Sequence, residues 1–219
     1  KDGFTTVLDL GANVDCTAEH LLQFAVMGSA LVSAVDGKAS PSVGLLNIGE
    51  EVIKGSEVIK QAGELLRQAH ERGLLRFHGN VEGNEIFQNR VDVVVCDGFV
   101  GNIVLKTIES MARGMFAMLK AELTANPKRK LGALLAQSAF RTIKRRTDSE
   151  NYGGAPLLGL NGVVFKAHAS ARERSILNAI RIATETLEFN VNQAIAREAA
   201  KAEASLEEAR KAGSASDAK

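Results

Sequence analysis

The sequence of 219 residues contains no tryptophan, one tyrosine and only three prolines. Aliphatic residues and alanine must therefore fill the core, and a hydrophobic content of 45% is sufficient for that. The two cysteines form no CxxC pair and no zinc spacing, which argues against a disulfide scaffold and suits a reducing compartment. We find no signal peptide and no apolar run near the roughly 20 residues of a membrane-spanning helix. These absences predict a soluble cytoplasmic protein.

Buried β-type runs alternate with helical patterns along the chain. We predict strands at 5–10, 43–48, 75–78, 91–96 and 162–167, and helices at 18–35, 56–72, 102–123, 131–145 and from 171 past 192. This alternation predicts an α/β protein with a mostly parallel sheet covered on both faces. The helix at 18–35 is apolar nearly all round, so we expect a missing segment or a second subunit to bury it. We assign one domain to 1–196, including a helical hairpin at 111–147, and a tail to 197–219, helical and then disordered.

Polar residues and glycines follow several predicted strands, most clearly in the run Val93–Asn102. Similar layouts occur at Leu8–Asn13 and Gly44–Glu51. Ligands bind at the carboxyl ends of parallel strands, and amides at helix starts attract anions, so we predict that the amides of 11–13 and 98–102 hold a phosphate. The candidate binding residues are Gly11, Asn13, Asn47, Lys54, Gly98, Gly101, Lys106, Gly153 and Gly154. The candidate catalytic residues are Asp97, Asn102 and His168.

Each of these residues also has a purely structural interpretation. Asp9 and Asp97 could cap helices, and Asn13 and Asn102 could be turn residues. No Walker or GxGxxG sequence supports a nucleotide site, and no residue spacing predicts a metal. Cys16, near a helix start, is a weak candidate for a covalent acyl intermediate.

Positive charge is concentrated between residues 111 and 147. Nine basic residues and one acid give this segment a net charge of +8, and the overall charge of +1 leaves −7 elsewhere. The apolar and basic faces predict either helices that pack on each other or on a twin subunit, or a surface for an anionic membrane or an acidic protein. The candidate contact patch is Lys128, Arg129, Lys130, Arg141, Lys144, Arg145 and Arg146. The small net charge of the whole chain gives no case for a nucleic-acid partner.

Five motifs, in order, carry a resemblance to a known family: LDLGANVDC, PSVGLLNIGEEVIKG, HGNVEGNEIF, DVVVCDGFVGNIVLKTIES and YGGAPLLGLNGVVFKAH. They resemble the bacterial phosphate acyltransferases that act on acyl–acyl-carrier protein. The resemblance covers residues 5 to about 192 and corresponds to the C-terminal two-thirds of the family. The chain also begins without methionine, so we expect an N-terminal third to be missing. One departure is Ala169, where the family pattern has glycine.

The resemblance implies a three-layer α/β/α fold like that of isocitrate and isopropylmalate dehydrogenases. It implies transfer of a fatty acyl group from acyl-carrier protein to inorganic phosphate, with no cofactor. The acyl phosphate would feed the membrane glycerol-3-phosphate acyltransferase of phospholipid synthesis. It also implies a homodimer, peripherally associated with the inner face of the cell membrane through the hairpin.

Within that mechanism, we expect Asp97 to orient or deprotonate phosphate and Asn102 to donate to an oxyanion or to phosphate. Lys54 or Lys106 would neutralise charge, and His168 is a second acid or base candidate.

Two other interpretations stay open. A phosphotransacetylase-type enzyme using a coenzyme A thioester would share the fold, and a non-catalytic fragment for membrane docking or dimerisation would need no complete active site. A nicotinamide dehydrogenase of the same fold is least expected, because the chain has no dinucleotide fingerprint.

Overall fold

A computed structural model of the chain describes residues 4–147, 153–168 and 171–216. The strands are β1 (Thr6–Leu8), β2 (Ser42–Leu46), β3 (Arg76–Val81), β4 (Val93–Val95), β5 (Ala155–Pro156) and β6 (Phe165–Lys166). The helices are α1 (Ala18–Asp36), α2 (Glu57–Glu71), α3 (Gly98–Thr124), α4 (Pro127–Leu135), α5 (Gln137–Thr147), α6 (Glu173–Glu188) and α7 (Val191–Ser216). The chain divides into two compact units. The first takes its described residues from Lys1–Asn102, Leu158–Val163 and Thr186–Lys219, and the second from Ile103–Leu157 and Val164–Glu185.

The first unit is built on a parallel sheet with the strand order β1-β4-β2-β3. The central strand β4 pairs Val94 with Val7 of β1 on one side and with Gly44 of β2 on the other. The three valines of β4 are buried, as a β-branched run on an interior strand requires. The predicted α/β class with a parallel sheet is confirmed. A short 3-10 helix at Gly83–Phe87, between β3 and β4, was not predicted.

Helix α1 covers this sheet and forms the centre of the core. Thr17 caps it by accepting a hydrogen bond from the His20 amide, and Ser56 caps α2 in the same way. The helix packs against β1, β4, α2 and α7, so its cover comes from within the chain. Contrary to the expectation from sequence, α1 is long and apolar enough to cross a membrane by length and composition. Half of it is buried against the sheet and its neighbouring helices, which is the packing of a core helix.

Three of the sequence-based boundaries in the rest of the chain are wrong. The helix predicted at 131–145 is two helices, because the chain turns at Ala136, where no glycine or proline marks the break. The strand predicted at 162–167 is β6, which pairs antiparallel with β5 in a separate two-stranded sheet. The helix predicted from 171 past 192 is interrupted before α7 at Asn190, whose left-handed φ of 51° ends a helical run.

The alanine-rich helix α7 contributes to the main core. Ala202 is only 7% exposed and lies in the same cluster as Leu21, Leu66 and Val93, with Leu206 packed against it. Small side chains allow α7 to approach α1 closely, so alanine at these positions is a packing residue as well as a helix former.

Replacing Ala202 with aspartate should lower the free energy of unfolding by roughly 2–4 kcal/mol, because it buries an unpaired carboxylate. Ala204→Asp, at an exposed position of the same helix, is the matched control and should change it by less than about 0.5 kcal/mol. Urea unfolding followed by circular dichroism measures both. Equal effects of the two changes would contradict the packing of α7 described above.

Candidate functional site

The loops that follow β1 and β4 are joined at the carboxyl edge of the sheet. The Asp9 amide donates to the Cys96 carbonyl at 2.9 Å, and the Cys96 amide donates to the Leu8 carbonyl at 2.8 Å. Further along, the Gly98 amide donates to the Asn13 carbonyl at 2.8 Å. The two strand ends predicted to lie together therefore do so.

Glycines allow the start of α3 to press against the first of these loops. A Cβ at Gly101 would lie 1.8 Å from the Asp9 carbonyl oxygen, and one at Gly98 would lie 2.6 Å from the Asn13 carbonyl oxygen. Both distances exclude any side chain. Gly11, with φ of 130°, lies against Asn102, whose Cβ is 3.4 Å from the position that a Cβ on Gly11 would take. Because these glycines have no side chains, the start of α3 can contact the loop after β1.

The Asp9 carboxylate is the polar centre of this arrangement. Asp9 as a whole residue is only 4% exposed to solvent. Oδ1 accepts from the Gly11 and Ala12 amides, each at 2.9 Å, and Oδ2 accepts from the amide and the side-chain nitrogen of Asn13, at 2.7 and 3.1 Å. Burial on its own raises the pKa of Asp9, but these hydrogen bonds to the charged form outweigh burial, and the net pKa is lowered. Asp9 is therefore an ionised carboxylate held by four donors.

The amides of Gly11–Asn13, which the sequence predicts to hold phosphate, have partners within the protein in this structure. Those amides already donate to Asp9, so the anion that the loop surrounds is the protein's own carboxylate. The side-chain nitrogen of Asn13 is engaged there as well. A phosphate could take these donors only by displacing a buried and fully hydrogen-bonded group, which is costly.

The second predicted amide cradle, at 98–102, is also largely occupied. Besides the Gly98 amide, the Val100 amide donates to Asp97 Oδ1 at 2.7 Å, and the Gly101 amide donates to the Asp97 carbonyl at 2.9 Å. Asp97 thus caps the first turn of α3, as the structural interpretation allowed. Few amides at this edge are therefore left open to a ligand.

Two polar side-chain groups remain free here within the described part of the chain. Asp97 is half-buried, and its Oδ2 carries no hydrogen bond. Asn102 is exposed, and its carboxamide makes no hydrogen bond. Both are predicted catalytic residues: Asp97 directly precedes α3, and Asn102 is the fifth residue of this helix. The site therefore offers one fixed carboxylate and one free amide donor.

The two cysteines beside these loops are not activated thiols. Cys16 Sγ donates to the Asn13 carbonyl and Cys96 Sγ to the Asp9 carbonyl, each at 3.4 Å. Burial, followed by the neighbouring carboxylates, raises the pKa of Cys96 to about 12, and burial also raises the pKa of Cys16. Neither forms a thiolate readily near neutral pH, which removes the support for a covalent acyl-cysteine at Cys16.

In the three described segments, no group of three His, Cys, Asp or Glu residues could hold a metal ion.

The loop after β2 is held by hydrogen bonds between its own residues. Asn47, a predicted binding residue, donates from Nδ2 to the Lys54 carbonyl at 3.1 Å and accepts from the Ile48 amide at 2.8 Å. Its side chain therefore shapes the loop. The Lys54 side chain is exposed and makes no ion pair within the described residues. Lys106 belongs to the second unit, where its ammonium lies 3.3 Å from Glu109 on the same helix.

The other predicted binding residues of the second unit are packing positions. A Cβ at Gly153 would lie 2.3 Å from the Ala179 amide of α6, and one at Gly154 would lie 2.6 Å from the Lys166 carbonyl of β6. Close approach explains both glycines without a ligand. His168 is exposed, and its carbonyl accepts from the Ala171 amide at 2.9 Å. Ala169, the departure from the family pattern, lies outside the described residues.

The basic patch occupies α4 and α5. Asn126 caps α4, so Lys128, Arg129 and Lys130 fall in its first turns. Arg129 pairs with Glu122 of α3. Arg141 and Arg145 lie on α5, as do Lys144 and Arg146, whose side chains are outside the described set. Phe116, Leu123 and Phe140 of this segment are half-buried. Other large apolar residues are exposed, among them Met111, Met115, Met118, Leu131, Leu134, Leu135 and Ile143. The packing of the apolar stripes on each other or on a twin subunit stays a prediction.

A cavity of about 840 Å³ lies at the opposite edge of the sheet, ahead of β2 and β3. Its lining includes Arg197 and Lys201, whose charges are paired with Glu198 at 3.0 Å. Its position separates it from Asp97 and Asn102, so it takes no part in the candidate site.

The chain matches one protein-family model and is similar in sequence to several curated proteins that share one name. The family described as "Fatty acid synthesis protein" matches residues 1–194. The chain is 56% identical over 201 residues to the phosphate acyltransferase of Polaromonas sp., covering 90% of this chain and 54% of that protein. It is 55% identical over 203 residues to the phosphate acyltransferase of Acidovorax sp., covering 91% and 59% respectively. The chain thus spans about half the length of the curated relatives it matches.

The change Asp9→Asn should lower the free energy of unfolding by roughly 2–3 kcal/mol near pH 7, because the amide cannot accept from all four donors. The folded-state pKa of Asp9 is lowered, so its contribution is complete above the ordinary value of 3.8 and is lost as pH falls through the lower folded value. The difference between wild type and variant should therefore be constant from pH 7 to about 5 and shrink below about 4. Urea unfolding across this pH range measures it. A difference that grew on acidification would contradict the account of Asp9.

Proposed function

This chain belongs to the fatty acid synthesis protein family, and from that membership we propose that it transfers a fatty acyl group from acyl-acyl-carrier protein to inorganic phosphate. The family match and the phosphate acyltransferase relatives support the reaction class. The observation that carries the proposal in the structure is the free Asp97 Oδ2 and Asn102 carboxamide at the carboxyl edge of the sheet. The product, an acyl phosphate, would feed phospholipid synthesis. The finer fold assignment, a three-layer α/β/α architecture of the isocitrate dehydrogenase type, belongs to the same proposal.

In the proposed mechanism, phosphate binds through the side chains of Asp97 and Asn102 at the start of α3. The Val100 amide fixes Asp97 by donating to Oδ1, which leaves Oδ2 to accept a proton from a phosphate hydroxyl. The phosphate oxygen then attacks the thioester carbon. Asn102 donates to phosphate or to the oxyanion that forms there. The carrier thiolate leaves without strong acid assistance, and most of the rate gain comes from holding the two substrates together.

Electrostatics limits this arrangement, because Asp9 and Asp97 are both carboxylates near the phosphate position. The ammonium of Lys54 has no ion pair among the described residues and would supply a balancing charge. The hydrogen bonds that Asp9 accepts disperse its negative charge over the loop. Lys106, His168, Gly153 and Gly154 stay predicted site residues.

The segment of α4 is proposed to dock on an anionic membrane surface, where the downstream glycerol-3-phosphate acyltransferase would consume the product. Leu131, Leu134 and Leu135 are exposed on a helix whose first turns carry Lys128 and Lys130. Exposed leucines beside basic residues suit the boundary between lipid headgroups and acyl chains. A cytoplasmic location at the inner face of the membrane follows from that proposal.

The acidic carrier protein is proposed to use the Arg141 and Arg145 side of the same patch.

A homodimer is proposed as the working form. Exposed apolar residues on α3, including Met111, Met115 and Met118, and on α6, including Ile176, Leu177 and Ile180, exceed what an isolated surface usually shows. A second copy is the proposed cover.

Replacing Asp97 with asparagine should lower turnover by at least about 100-fold, because the amide cannot accept a proton from phosphate. The assay measures release of carrier-protein thiol that depends on added phosphate, with coenzyme A thioesters compared as alternative donors. Asp15→Asn, at an exposed carboxylate near the same loops, is the matched control and should stay within about twofold. Near-normal turnover of the Asp97 variant would remove this residue from the mechanism.

Charge reversal at Lys128 and Lys130 should weaken sedimentation with vesicles of anionic lipid by about tenfold or more, since each basic residue near such a surface contributes about 1 kcal/mol. The effect should diminish at high salt. Lys60→Glu, on the exposed face of α2, is the control and should leave binding unchanged. If the hairpin variant loses carrier-protein binding but keeps vesicle binding, the patch serves the carrier and the membrane proposal fails.

A further inference from the structure

The loop between β2 and α2 presents aliphatic side chains to solvent. Ile48 is 81% exposed, Ile53 is 78% exposed and Val52 is 58% exposed. Three large aliphatic residues within six positions, all turned outward, are unusual for a surface loop, where such clusters mark binding surfaces. We call these three residues the aliphatic loop face.

The loop is held in this orientation by hydrogen bonds within itself. Asn47 bonds both to the Ile48 amide and to the Lys54 carbonyl, which closes the loop at its two ends. Gly55, with φ of 92°, lies against this asparagine, and a Cβ there would be 2.7 Å from Asn47 Oδ1. These contacts fix the two ends of the loop that carries the aliphatic side chains.

Neighbouring elements fix the same loop from outside. The Asn80 side chain donates to the Glu51 carbonyl at 3.0 Å, and the Arg90 guanidinium donates to Glu50 at 2.6 Å. Arg90 also pairs with Glu85, which is buried. These contacts attach the loop to the protein through the Glu51 carbonyl and the Glu50 side chain, while its aliphatic side chains stay exposed to solvent.

The position of the aliphatic loop face relates it to the candidate site. It follows β2, which pairs directly with β4, and the carboxyl end of β4 carries Asp97. The loops after β1 and β4 add exposed Val14 and Phe99 along the same edge. Apolar side chains therefore continue along the sheet edge from the loop that carries the reacting carboxylate.

We infer that Ile48, Val52 and Ile53 bind the fatty acyl chain of the thioester substrate and set the preference for chain length. This inference rests on the proposed function. A second copy of the chain is a poorer occupant, because a stable interface buries about 800 Å² per partner, much more than three side chains provide. An anionic membrane is also disfavoured, because the loop carries two acids, Glu50 and Glu51, against one base, Lys54. The neutral, apolar chain of a thioester suits both the size and the charge of this surface.

The kinetic test compares palmitoyl and butyryl carrier-protein thioesters. Ile48→Ser and Ile53→Ser should each lower kcat/KM for the palmitoyl substrate by about tenfold, because they remove apolar contacts with the distal chain, and should change the butyryl rate by less than about twofold. Val35→Ser, at a half-exposed position on α1 toward the opposite edge of the sheet, is the matched control and should affect neither. Because both isoleucines are exposed, the variants should melt like wild type. Equal losses with both substrates, or no loss, would overturn the inference.

A binding test without turnover separates this inference from the proposed function. Methyl-labelled isoleucine spectra recorded with palmitoyl-pantetheine, in the absence of phosphate, should show shifts for Ile48 and Ile53 but not for Ile180 of α6. If wild type releases no thiol in response to phosphate, the proposed function fails, and the methyl shifts still decide the inference. Unshifted Ile48 and Ile53 methyls, or serine variants that change the sedimentation coefficient instead, would overturn it.

Discussion

The Asp9 carboxylate and its four hydrogen bonds fix the geometry on which the candidate site depends. The carboxylate gathers the amides of Gly11–Asn13 into one tight loop, and the Asn13 carbonyl then accepts the Gly98 amide at the start of α3. Gly101 completes the contact, because only a residue without a Cβ can approach the Asp9 carbonyl so closely. A buried charge is stable only when its donors are in place, so this cluster is all-or-none. It places the start of α3, with Asp97 and Asn102, against the loop after β1.

This internal anion occupies amide donors that would otherwise be open to the proposed phosphate substrate. Helix starts and glycine-rich loops hold phosphate elsewhere because their amides are free. Here the corresponding amides are bound to the protein's own carboxylates, Asp9 and Asp97. In the proposed reaction, phosphate would be recognised by a few side chains, which would orient it without quenching its attack as a nucleophile.

Each of the two units exposes apolar residues, and the charged residues next to them differ in sign. Around α4, leucines stand beside lysines and arginines, whereas the aliphatic loop face after β2 stands beside glutamates. Since an apolar surface gains from burial in any medium of low polarity, charge decides which partner it meets. The proposed membrane contact of α4 agrees with its basic surroundings, and the proposed acyl-chain contact of the loop agrees with surroundings that carry no excess of positive charge.

The alternation of apolar strands and helices in the sequence determined the parallel α/β sheet, the burial of α1 and the pairing of the Asp9 and Asp97 strand ends, because these follow from local periodicity and from the rule that parallel strands share one carboxyl edge. Only the tertiary structure decided the rest. Contacts between residues far apart in sequence decide how α7 covers α1. Such contacts also hold the loop on which Ile48 and Ile53 point outward. The donors that Asp9 takes likewise follow from the folded loop. Hydrogen-bond satisfaction is a property of the packed molecule, and so no local pattern could show that the predicted amide cradles were already filled.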